Sequence, residues 1–98
     1  MRLEPEEVRA IKAAARHAFG RDATVRLFGS RADDERKGGD IDLHVEVAPD
    51  VDAWGAKCRF EDDLFARMEE QRVDVVVRKR GEPARGIDLI AYRDGVLL

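Results

Sequence analysis

The chain has 98 residues, a net charge of −3 and a charged fraction of 40%. This length suits one domain, residues 1–98, with a modest core, and is expected to leave no room for a second domain that binds an acceptor. The small negative charge describes a soluble protein without a broad basic field, so nucleic acid is not supported as a partner.

Cys58 is the only cysteine, which excludes an internal disulfide and makes the cytoplasm the expected location. Arg2, Glu4, Glu6 and Glu7 interrupt the start, and no apolar run approaches membrane-spanning length, so neither a secretory signal nor a membrane span is expected.

In chain order, Val8, Ile11, Ala15, Ala18 and Phe19 recur at helical spacing, with Pro5 suited to the first turn and Gly20 to the end. Ala23 to Phe28 reads as a first strand, and Asp40 to Val47 as a second that Pro49 and Asp50 stop. From Val51 to Glu70 a helix is predicted. Val51, Trp54, Cys58, Phe65 and Met68 lie on one side, and Phe60 and Leu64 widen the apolar arc. Trp54, Cys58 and Phe60 are expected in the core; if the wide arc is partly exposed, Trp54 and Phe60 mark a partner surface. Arg72 to Arg78 reads as a third strand, with Val73, Val75 and Val77 on one face and Asp74 and Val76 on the other. A loop from Gly81 to Gly86, a helix from Ile87 to Arg93 and a short strand from Gly95 to Leu98 complete the chain.

The chemistry concentrates in two places. Leu27-Phe28-Gly29-Ser30-Arg31 is a strand running into a Gly-Ser turn, and the polar run after it can open a short helix whose free N–H groups face an anion. Such a turn suits a triphosphate, with Arg31 able to add a charge-assisted donor. Downstream, Asp40 and Asp42 alternate with Ile41, Leu43, Val45 and Val47, so a strand places both carboxylates on one face. Adjacent carboxylates repel, and a divalent cation removes that repulsion; Mg²⁺ favours one or two protein carboxylates together with phosphate oxygens and water.

These residues resemble the minimal nucleotidyltransferases of the DNA polymerase beta superfamily, whose signature is Gly-Ser, a spacer and Asp-x-Asp. The superfamily's third carboxylate, on a later strand in a Val-Asp-hydrophobic context, is matched by Val73-Asp74-Val75. The spacer is nine residues rather than the usual ten, and Gly39 stands where Ser is often found. The resemblance implies an α+β nucleotidyltransferase fold, a small mixed sheet with helices packed on one face and the active site on the other. It further implies a Mg²⁺-dependent transfer of NMP from an NTP, with ATP the expected donor, to a hydroxyl on a partner protein. Asp40, Asp42 and Asp74 would be the catalytic residues and the ligands of two Mg²⁺ ions, while Gly29, Ser30 and Arg31 would bind the nucleotide. The implied partner is a small all-helical HEPN-type toxin for which this chain is the antitoxin. Two other readings stand beside it: a non-catalytic module of the same fold that silences its partner by contact alone, and a metal-dependent nuclease, against which the Gly-Ser turn argues.

Each of these residues also has a plainer reading. Gly29 and Ser30 could serve as a tight turn and a helix cap, with Asp33 completing a capping box. Asp40 and Asp42 could line a solvated strand face. His44 shares the Asp42 face and is expected as an outward polar residue or a partner behind the ligands, and His17 as a surface residue. Arg78, Lys79, Arg80 and Arg85 form a basic cluster, either a solvated edge or a lure for an acidic acceptor.

Overall fold

The computed structural model describes residues 2–33 and 39–98. Most of the charged spacer, with Gly38 of the Gly38-Gly39 pair, lies outside the described residues. The elements run α1 (Pro5–Phe19), β1 (Thr24–Phe28), a 3₁₀ turn (Gly29–Ala32), β2 (Ile41–Val47), α2 (Ala53–Arg67), β3 (Val73–Lys79), α3 (Gly86–Asp94) and β4 (Val96–Leu97). Pro5 does open α1, where the Glu4 N–H donates to Glu7 Oε1 at 2.9 Å. No described helix is long and apolar enough to cross a membrane.

The strands form one mixed sheet in the order β3-β2-β1-β4, with β2 parallel to β3 and β1 antiparallel to both its neighbours. Alternation then sorts the side chains. Val25 and Leu27 of β1, Ile41, Leu43, Val45 and Val47 of β2, and Val75 of β3 share a core with Ile11, Ala14 and Phe19 of α1 and Ala56, Phe60 and Leu64 of α2. The Phe19 and Phe60 rings lie 5.4 Å apart. Burying this apolar face is the main source of stability, at about 1.5–3 kcal/mol for each large side chain.

Helix α2 departs from the predicted arc. Its buried stripe is Ala56, Phe60 and Leu64, one turn apart, whereas Trp54 and Cys58 are exposed. The apolar residues of this segment span too wide an arc for one sheet face to cover, so packing chose the inner stripe and left the flank to solvent.

The other face of the sheet carries three rows: Phe28, Asp42 and Asp74; then Arg26, His44 and Val76; then Thr24, Glu46 and Arg78. Helices α1 and α2 cover the apolar face as expected, but α3 lies on this second face. There Asp88 Oδ1 is 2.8 Å from His44 Nε2, and both side chains are fully buried. Tyr92 donates to Glu46 and accepts from Arg78 Nη1 at 2.6 Å, with its ring under the Arg26 guanidinium at 5.0 Å. Helix α3 therefore covers the second and third rows and leaves the first, with Asp42 and Asp74, at the uncovered end.

Two expectations are corrected here. His44 is neither outward nor exposed; it is the buried anchor of α3. The basic cluster is largely engaged within the fold. Arg78 bonds Tyr92 and Glu82 O, Arg80 reaches Asp22 O and Thr24 Oγ1, and Arg85 holds Asp88 and Val77 O. These guanidiniums satisfy carbonyls and carboxylates around the ends of β1 and β3 instead of presenting a free basic edge.

Candidate active site

The end of β1 delivers Phe28 opposite Asp42, and the chain turns at once through Gly29. Gly29 has φ +72°, and a Cβ there would stand 2.2 Å from Asp42 Oδ2. Only glycine lets this turn press against that carboxylate. The same holds one step away: Gly39 has φ +94°, and its Cβ would meet Ser30 Oγ at 2.1 Å. The Ser30 hydroxyl occupies the space a side chain at position 39 would need.

The turn is braced from outside. Arg2 gives its backbone N–H to Arg31 O at 2.8 Å, Nη2 to Ser30 O at 2.8 Å and Nε to Asp33 O at 3.1 Å. Arg31 answers through Nη1 to Arg2 O at 3.0 Å, Nε to Gly39 O at 3.1 Å and Nη2 to Gln71 Oε1 at 3.4 Å. The guanidinium expected to meet phosphate is thus occupied in tying the two glycine segments together. Arg2 and Gln71 were not legible as contributors, because nothing local to either residue signals a turn so far away in the chain. The Ser30–Asp33 capping box does not form; Phe28 precedes the 3₁₀ turn without a side-chain cap, and Asp33 instead gives its N–H to Ser30 O.

Asp42 and Asp74 face each other across the parallel pair β2–β3, on the same side of the sheet. Burial pushes the Asp42 carboxyl above its ordinary value; the charges of Asp74 and Asp40 push it further, and Arg72 opposes them. Asp40 is on the same flank, but its Oδ2 is drawn to Arg72 Nε at 3.2 Å. Among the described residues no three His, Cys, Asp or Glu side chains stand together in an arrangement that could hold a metal ion. The structure therefore pairs Asp42 with Asp74 and turns Asp40 toward an arginine.

The donor set nonetheless fits a hard divalent cation: all-oxygen ligands, mutual repulsion stored at Asp42, and an exposed Asp40–Arg72 pair of the kind worth about 0.2–1 kcal/mol. Arg72 is 76% exposed and so is free to swing away. On the far side of the turn, Phe28, Gly29, Ala32 and Asp33 face Ile90 and Asp94 of α3 across a cleft of about 410 Å³.

Residues 8–93 match the nucleotidyltransferase domain family. The chain belongs to that family. Its chemistry is nucleotidyl transfer from a nucleoside triphosphate, and the family generally uses divalent metals. No curated protein matches the sequence. For a nucleotidyltransferase domain, a glycine turn pressed against a raised-pKa carboxylate is a sensitive joint. Gly29→Ala should destabilise the domain by about 1–3 kcal/mol, from the positive φ and the clash with Asp42. It should also reduce the rise in melting temperature caused by a triphosphate with Mg²⁺. A ligand-induced shift equal to wild type would mean that the turn holds no phosphate.

Proposed function

We propose that the domain transfers a nucleoside monophosphate, first of all AMP from ATP, to a Tyr, Ser or Thr hydroxyl of a partner protein, as the antitoxin of a small all-helical HEPN-type toxin. The observation that carries the transfer reading is the position of Asp42, with the Gly29-Ser30 turn against it on one side and Asp74 in register on the other. A triphosphate lying along the turn would meet backbone donors at its terminal phosphates and have its α-phosphorus near the carboxylates. The acceptor oxygen forms a bond to that phosphorus, the α–β bond breaks, and pyrophosphate departs. Asp74 is exposed and open to an incoming hydroxyl, so its carboxylate is the group to receive the proton. Two Mg²⁺ ions bound by Asp40, Asp42 and Asp74 would supply charge neutralisation for the triphosphate and a lower pKa for the hydroxyl.

The resemblance to minimal nucleotidyltransferases supports the toxin partner. The alternative is a contact-only antitoxin, in which Asp40 would stay with Arg72. Mass spectrometry separates the two. Incubating a co-expressed helical partner with the domain, each nucleoside triphosphate and Mg²⁺ should add one nucleotide mass to the partner. No mass gained, with the partner still silenced, would establish the contact-only role.

A further inference from the structure

Strand β3 ends the sheet: it bonds to β2 on one side and to no other strand among the described residues. Its single partner fixes the polarity of its backbone. Arg72 C=O accepts from the Ile41 N–H, and the Arg80 N–H donates to Val47 C=O. By the alternation of a ladder, residues 74, 76 and 78 turn their N–H and C=O groups inward, and Val73, Val75, Val77 and Lys79 turn theirs out to the edge. The outward Val77 C=O is indeed reached by Arg85 Nη2, at 2.9 Å. A seven-residue edge rich in valine, with neither proline nor bulge, is a template for another strand.

We infer that the strand it receives is β3 of a second copy of this chain, antiparallel about a twofold axis at Val76. Outward residues must face outward residues, so the register can move only in steps of two. Centring on Val76 is the one register that uses all seven residues. It sets Val75 against the second copy's Val77, and Asp74 against the second copy's Arg78 on the same face. Opposite charges directly across a strand pair stabilise it. Centring on Val75 or Val77 drops two residues from the pairing, and centring on Asp74 sets two carboxylates against each other.

The helix side of the edge fits the same occupant. A groove of about 410 Å³ runs there between Ala53, Trp54 and Lys57 of α2 and Val75, Val77 and Arg85. Trp54 is 75% exposed on its rim, so a second sheet edge would cover the largest exposed aromatic of the chain. Arg85 must release Val77 C=O, which swings Nη2 off the edge and leaves Asp88 held by Arg85 Nε at 3.1 Å and the Arg85 N–H at 2.7 Å.

A Cys58→Ser background removes the native thiol for the test. Val76→Cys lies on the twofold axis, opposite itself, and should form a disulfide-linked dimer rapidly under mild oxidation. Val73→Cys, which faces Lys79, should cross-link far more slowly. Wild-type protein should show a concentration-dependent monomer–dimer equilibrium by sedimentation, and Val76→Lys should be monomeric with an unchanged circular dichroism spectrum. Wild type that stays monomeric at every concentration, or equal cross-linking at positions 73 and 76, would overturn the pairing.

Discussion

Asp42→Asn should reduce Mg²⁺-dependent nucleotide transfer by about 100-fold or more while the protein melts at the same or a higher temperature near neutral pH. The two effects have one cause. Burial and the charges of Asp74 and Asp40 raise the Asp42 carboxyl above its ordinary value, so ionising it costs the folded state. A carboxyl whose folded value is raised contributes stability below its unfolded value, and that contribution is lost as pH rises through the folded value. Wild type should therefore lose stability as pH climbs out of the carboxylate range, and Asn, which cannot ionise, should not. The gap between the two melting curves should close in acid. It should also narrow at neutral pH when Mg²⁺ and nucleotide are added, because the cation neutralises wild type and has nothing to neutralise in the variant. Calorimetric melts of both proteins between acid and neutral pH, with and without Mg²⁺ and a triphosphate, measure all of this. A variant that binds nucleotide with Mg²⁺ as tightly as wild type would remove Asp42 from the site.

This prediction could be read from the sequence in direction but not in mechanism. Asp40-Ile41-Asp42 and Val73-Asp74-Val75 each place a carboxylate on the face opposite the valines and leucines, and strand alternation alone predicts that they share a side. Their register does not follow from alternation. It needed the parallel pairing of β2 with β3, which sets residue 42 beside residue 74. Gly29 was legible as a turn, while the reason only glycine serves is a contact with Asp42, thirteen residues on.

What composition and periodicity missed is the covering of that face. His44, sharing the Asp42 face, was expected as an outward polar residue or a partner behind the ligands, yet alternation says which side a residue faces and not what lies on that side. The signal was present further along. Asp88, in the apolar run Ile87 to Ile90, is as odd a choice as Asp74 among valines, and it is the residue that binds His44. The wide arc of α2 misled for a related reason: an apolar flank can remain exposed when one sheet face is already full, as Trp54 shows.

The buried pair His44–Asp88 should give the largest stability effect of any single exchange outside the hydrophobic core. Desolvation opposes the Asp88 charge, but hydrogen bonds from the Arg85 side chain and backbone and from His44 hold its carboxyl well below the usual range. Asp88→Ala removes the acceptor and leaves Arg85 and His44 facing a void, and breaking a buried pair in this way costs about 3–5 kcal/mol. For a domain of this size that is a large part of the total, which runs to about 5–15 kcal/mol. A carboxyl with a lowered folded value contributes stability above its unfolded value and loses it as pH falls through the folded one, so the deficit of the variant should be full at neutral pH and shrink only in strong acid. The double exchange His44→Leu with Asp88→Leu tests whether the cost is an uncompensated buried group or lost shape. It should recover part of the stability, since an apolar pair of similar volume needs no partners, although the Arg85 backbone and side chain still lose their acceptor. Urea titrations of the wild type, the single variant and the double variant measure the difference. A single variant as stable as wild type would show that α3 is not anchored through Asp88. Because Ile90 and Asp94 of that helix wall the cleft beside Gly29, loosening it should also weaken triphosphate binding in the single variant, and the double variant should restore both together.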